Sequence, residues 1–259
     1  MSRLSMSRLS WRTLSPWLDV VAIAAWGFAL MKLWLSGQML LLIHPAYKPL
    51  TIGAGFALLL VSAVKGWFVF RASRSNRQNF PPMQHFSLFP PGWSSALLLG
   101  VAIAALVLTP RPFASQTAFD RGVSDSITMT RVRPQSFTAS TKTEDKSLID
   151  WIRTLQVYPE PDAYTGQKVR VQGFVIHPPN LPPEYFLITR FVITCCAADV
   201  YPVSLPVKLT NGNRDAYKVD SWLEVEGQMV TQTLDGKRQL TIQASNLKPI
   251  PEPKDPYDY

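Results

Sequence analysis

Two stretches of this sequence carry neither a charge nor a polar face: residues 51–64 (TIGAGFALLLVSAV) and 94–109 (SSALLLGVAIAALVLT). A surface helix of a soluble domain needs a polar stripe. These segments have none, so an ordinary water-soluble fold does not suit the first third of the chain. A third apolar run extends from about Trp17 to Ile43, with Asp19 near its start and Lys32 inside it. A spanning helix takes about 17–25 mainly apolar residues. The reading is therefore a membrane domain over 1–109 with three transmembrane helices, at about 17–43, 50–70 and 93–109. Trp93 suits an interfacial anchor. A mid-helix lysine costs about 2.5–3.5 kcal/mol, less where it snorkels, so Lys32 is placed near an interface. Asp19 lies about 20 Å away along the same helix and cannot pair with it.

The distribution of charge supports this division. Residues 1–93 hold nine Lys/Arg and a single acid, whereas residues 110–259 hold 17 basic and 17 acidic residues. The net charge of +8 thus belongs to the apolar third, where basic residues flank the runs. A nucleic-acid-binding domain clusters them on a folded surface instead, so no nucleic-acid partner is expected. Arg3, Arg8 and Arg12 precede the first helix and Arg71, Arg74 and Arg77 follow the second, with Lys48 alone between them. Positive loops stay inside. The N-terminus and the 71–92 loop are then cytoplasmic, and everything after Pro110 is extracytoplasmic. The expected location is a bacterial plasma (inner) membrane, with a thylakoid as the alternative.

Residues 110–156 read as a linker rich in Ser, Thr, Arg and Pro, ending in a short helix at 147–155 that Ser147 can cap. From Val157 onward the pattern has period two. Strands are expected at 169–175, 185–193, 203–209, 222–230 and 239–244, with Asp235-Gly236 as a hairpin turn. Gly173 and Gly227 fall inside strands, where bulges and tight bends occur. Five short strands suggest a small all-β domain over 157–259, an OB-like five-stranded barrel. The fold class is thus an α+β membrane protein: three transmembrane helices followed by an extracytoplasmic β-barrel.

The only two cysteines are adjacent, Cys195 and Cys196 in ITCCAADVYP. A disulfide stabilises by closing a loop, and between neighbours there is no loop to close. Three readings stay open. Cys195, Cys196 and Asp199 can bind zinc or another soft or borderline metal ion, with His177 as an extra ligand. The thiols can be a redox pair or sensor. Or the cysteines are structural, in an envelope protein without chemistry. The sequence holds no phosphate loop, nucleophile elbow or His-Glu zinc helix, so no enzyme is assigned.

The segments YTGQKVRVQGFV, LITRFVITCCAADVYPVSLPV, DSWLEVEGQ and PIPEPKDPYDY, with the HPAYKPL turn, resemble a family of uncharacterised bacterial membrane proteins. These are YcgQ-like, described as conserved or putative repeat membrane proteins. The resemblance implies a neighbouring permease, in some cases beside metallochaperone GTPases of the cobalamin-synthesis W type. It thus implies a membrane-bound accessory subunit of that permease, with metal handling as one expectation. Its signature residues here are Arg190, Cys195, Cys196 and Asp199.

Overall fold

The computed structural model describes residues 4–74, 92–122, 143–210 and 212–259. Residues 75–91 of the arginine-bearing loop and 123–142 of the spacer lie outside this set. The chain divides into two compact units, Met1–Pro110 and Arg111–Tyr259.

The first unit comprises α1 (Leu4–Leu35), α2 (Lys48–Arg74) and α3 (Trp93–Val107). Pro16–Leu35 and Pro45–Arg74 are each long and apolar enough to cross a membrane, and the 15 residues of α3 form a shorter apolar helix. The first apolar run is divided. α1 ends at Leu35, Gly37 takes the left-handed conformation (φ 74°), and Gln38–Leu41 form a 3-10 turn.

Small and polar residues join the helices. A Cβ on Gly27 would sit 2.8 Å from Leu59, and one on Gly55 would sit 2.4 Å from Met31 Cε, so α1 and α2 pack closest at these glycines. This is how helices approach where no water drives them together. Ser62 Oγ donates to the carbonyl of Val20 (2.9 Å), and Asp19 pairs with Lys65 (2.6 Å) while accepting from Ser95 Oγ. Lys32 donates to the carbonyl of Leu106 (2.6 Å). That carbonyl lies in the last turn of α3, which ends at Val107, so no helical amide follows to bond it. Gly55→Ala should be mild, because the Met31 methyl can swing aside. Gly55→Leu should part α1 from α2 and slow disulfide crosslinking of a Val20→Cys/Gly66→Cys pair, where a Cβ on Gly66 would lie 3.4 Å from Val20 Cγ1, by about tenfold or more.

The second unit is built on β1 (Lys168–Ile176), β2 (Tyr185–Val192), β3 (Tyr201–Lys208), β4 (Trp222–Leu234), β5 (Lys237–Pro249) and β6 (Tyr257–Asp258). They form one six-stranded sheet in the order β1-β4-β5-β3-β2-β6, with β1 also paired to β2. β3 runs parallel to β5 and β6 parallel to β2; the other pairings are antiparallel. The apolar pattern locates the first five strands, but β4 and β5 run well past the expected 222–230 and 239–244. It missed β6, two residues long beyond a proline-rich stretch.

Asp235 (φ 49°) and Gly236 (φ 71°) make the left-handed two-residue turn of the β4–β5 hairpin. Within it the register shifts between Glu226 and Gly227, so Ser245 is an extra residue in β5. α5 (Leu148–Val157) starts in a capping box: Ser147 accepts from the Asp150 amide, and Asp150 accepts from the Ser147 amide. It buries Leu148, Ile149, Trp151, Ile152 and Leu155 against Val171, Phe186, Ile188, Leu205, Val225 and Met229 of the sheet. Residues 111–122 also belong to this unit. α4 (Ser115–Asp120) is tied down by Ser115, whose amide and hydroxyl donate to Asp220 (2.7 and 3.0 Å), and by the Phe113 amide, which donates to Tyr257 Oη (3.2 Å).

Candidate metal site in the β2–β3 loop

The loop from Ile193 to Val200 carries both cysteines, and Asp199 organises it. Asp199 Oδ2 accepts from the Cys195 amide (2.8 Å) and the Thr194 hydroxyl, and Oδ1 accepts from the Cys196 amide (3.1 Å). The Asp199 amide in turn donates to the carbonyl of Cys196 (3.0 Å). One carboxylate thus turns the chain back on itself and brings the two sulfurs to 3.7 Å. The ligand atoms of Cys195, Cys196 and Asp199 all lie within 4.8 Å of one another. Cys195 is exposed, Cys196 and Asp199 half-buried, and both thiols are free.

The Asp199 carboxylate, as hydrogen-bond partner, and then the neighbouring Cys196 push the Cys195 thiol up to about 11. Partial burial works to raise the Asp199 carboxyl, but the hydroxyl of Thr194, the thiol of Cys195 and the two backbone amides outweigh it and hold it below its ordinary value. Without an ion, Cys195 is a protonated thiol at neutral pH. That makes it a poor nucleophile for disulfide exchange. A bound metal ion reverses this preference, because its charge favours the thiolate.

Two anchors hold the loop from outside. Arg121, just past α4, donates to the carbonyl of Ala198 (3.2 Å) and to that of Val200, on either side of Asp199, and its guanidinium lies 5.6 Å from the ring of Phe113. The C-terminal segment holds the other side: β6 pairs with the end of β2, and the Ile193 amide donates to the carbonyl of Asp258 (3.1 Å). Nothing in the local pattern marks Arg121, which is remote from the loop in the chain. The signal for the tail was PYDY, two aromatic residues around an acid after a run of prolines.

The other residues singled out lie elsewhere. His177 follows β1, whose last residue Ile176 pairs with Leu187 near the start of β2, while Cys195 lies beyond the end of β2. The length of β2, about 20 Å at 3.3 Å per residue, thus lies between His177 and the cysteine loop. Arg190 makes an ion pair with Asp258 (3.2 Å). A concavity of about 800 Å³ lies along β1, β4 and β5, lined by Lys168, Arg170, Gln228 and Gln243 among others. Its two basic residues pair with Glu144 and Asp145 (3.4 and 3.9 Å).

Fold and loop together define a class: a small β domain that presents two thiols and a carboxylate on one exposed loop, preceded by a helical unit with two segments of membrane-spanning length. The chain belongs to the family of the DUF1980 C-terminal domain, whose sequence profile matches residues 127–259. That family is uncharacterised. No curated protein matches the chain.

Proposed function

We propose that this is an integral protein of the bacterial inner membrane, a non-enzymatic accessory subunit of a permease, whose β domain binds a metal ion through Cys195, Cys196 and Asp199. The observation that carries the metal reading is the convergence of those three ligand atoms within 4.8 Å on one loop. The exposure of Cys195 argues against a packing role. The permease partnership rests on the resemblance described above.

Membrane insertion is supported by what α2 and α3 leave uncovered. Phe56, Leu60, Trp67, Phe68 and Leu97 are each more than half exposed, which water would disfavour and lipid would not. With the N-terminus cytoplasmic, the β domain lies outside. Its pairings run β1-β2-β3-β5-β4 and back to β1, a cycle we read as an OB-like five-stranded barrel.

The test is elemental mass spectrometry on the full-length protein, purified in detergent under reducing, anaerobic conditions. About one ion per chain is expected, and the Cys195→Ser/Cys196→Ser double variant should lose it. Equal metal content in the two proteins rejects this site. A reversible loss of two hydrogens from the Cys195 peptide, with no metal bound, would favour a redox protein instead.

A further inference from the structure

We infer that the loop is shaped for a tetrahedral divalent ion of the zinc class, bound by three protein donors with the fourth position open. This rests on the metal reading above and adds the ion's class and the site's mode of use. Two thiolates on a tetrahedral centre, with bonds of about 2.3 Å, sit about 3.8 Å apart; the same bonds opposed in a line would hold them about 4.6 Å apart. The observed separation is 3.7 Å. Asp199 holds the amides of both cysteines, so the backbone keeps the two side chains side by side. The spacing matches the tetrahedral geometry and falls short of the linear one open to a cuprous ion. A carboxylate as third donor also suits zinc better than copper(I). A tetrahedral centre sets sulfur and oxygen about 3.5 Å apart. The set, which now extends to no more than 4.8 Å, contracts on binding.

Among the described residues the cluster contains three donors. His177 sits at the far end of β2, and the Arg121 guanidinium is bonded to carbonyls. With Cys195 exposed, the open position faces solvent. Structural zinc sites are closed by four protein ligands, whereas sites that exchange a ligand keep one position open. Water completes this one and a further donor atom can displace it, so the bound ion keeps one exchangeable position.

Cobalt(II) is the probe, titrated anaerobically into the reduced full-length protein in detergent. The expected result is a thiolate-to-cobalt charge-transfer absorption with the strong visible bands of four-coordinate cobalt, lost when one equivalent of zinc is added. Added imidazole should shift the visible bands, because it can enter the open position. Cys195→Ser should weaken cobalt binding by about tenfold or more. Its thermal transition should not move, since Cys195 is exposed, and that separates loss of binding from loss of fold. Weak octahedral cobalt spectra, with one copper(I) ion held by the same cysteines, would overturn the zinc-class inference and leave the metal reading standing. Tetrahedral bands indifferent to imidazole would overturn the open position. If neither ion binds, the metal reading itself fails.

Discussion

Gly227→Ala should destabilise the β domain by about 3 kcal/mol, at the upper end of what overpacking usually costs. A Cβ at this position would lie 2.1 Å from the carbonyl oxygen of Gln243 and 3.0 Å from its carbon. These are backbone atoms of the paired strand, and they cannot swing aside as the methyl of Met31 can beside Gly55. The clash sits at the bulge, where Ser245 is the extra residue and its hydroxyl donates to the carbonyl of Glu226 (3.1 Å). Relief therefore requires β4 and β5 to part, and with them the hairpin that carries Met229, Leu240 and Ile242 into the core. In a domain of this size the thermal midpoint should fall by about 10 °C. Gly173→Ala should act in the same direction, because its Cβ would meet the carbonyl oxygen of Thr189 at 2.5 Å. A midpoint within about 1 °C of wild type for Gly227→Ala would show that the hairpin tolerates a wider spacing than this bulge implies.

Those two glycines were legible in the sequence because each interrupts an alternating apolar pattern. So were the Asp235-Gly236 turn and the Ser147 cap, which rest on local chemistry. What stayed hidden depends on pairing across long separations. Asp19 has no partner within reach on its own helix and finds Lys65, 46 residues on, once α1 and α2 pack antiparallel. The bond from Lys32 to the Leu106 carbonyl satisfies an orphan of the last turn of α3, which is foreseeable only if α1 and α3 are known to be neighbours. The site divides in the same way. Cys195, Cys196 and Asp199 are close in sequence, so their convergence needs only a turn. Arg121 and the C-terminal strand reach that turn from 77 and 65 residues away by the hydrogen bonds to Ala198 and Ile193; no local pattern marks Arg121, and PYDY marks the tail without saying which strand it joins.

The C-terminal strand gives the second large effect, through Arg190. Its side chain is 16% exposed and that of Asp258 is 10% exposed, so the ion pair is mostly out of water. The same guanidinium donates to the carbonyls of Asp255 and Tyr257 (3.1 Å each) and lies 5.7 Å from the ring of Trp222. Burial pushes the Asp258 carboxyl above its ordinary value, and Arg190 pulls it only part of the way back. Arg190→Ala leaves a buried carboxylate without its cation and two carbonyls without a donor. Breaking such a pair on one side costs about 3–5 kcal/mol. Release of the tail into water sets a ceiling on that loss, so β6 should undock before the domain unfolds. The expected reading is fast hydrogen exchange at Tyr257, Asp258 and Ile193. The effect has a pH signature. An acid whose native pKa is raised contributes its stability below the unfolded value, near 3.8, and loses it as pH rises through the native value. Removing Arg190 raises the native value further. The deficit against wild type should therefore be full at neutral pH and shrink towards about pH 4. Arg190→Lys should recover part of it, since the charge remains but the planar fork does not. Unchanged exchange at Ile193 in Arg190→Ala would mean that the tail is held by Arg153, which donates to the carbonyl of Tyr259 (2.8 Å), and by the Tyr257 hydroxyl instead. Faster exchange there would tie the base of the cysteine loop to a single guanidinium.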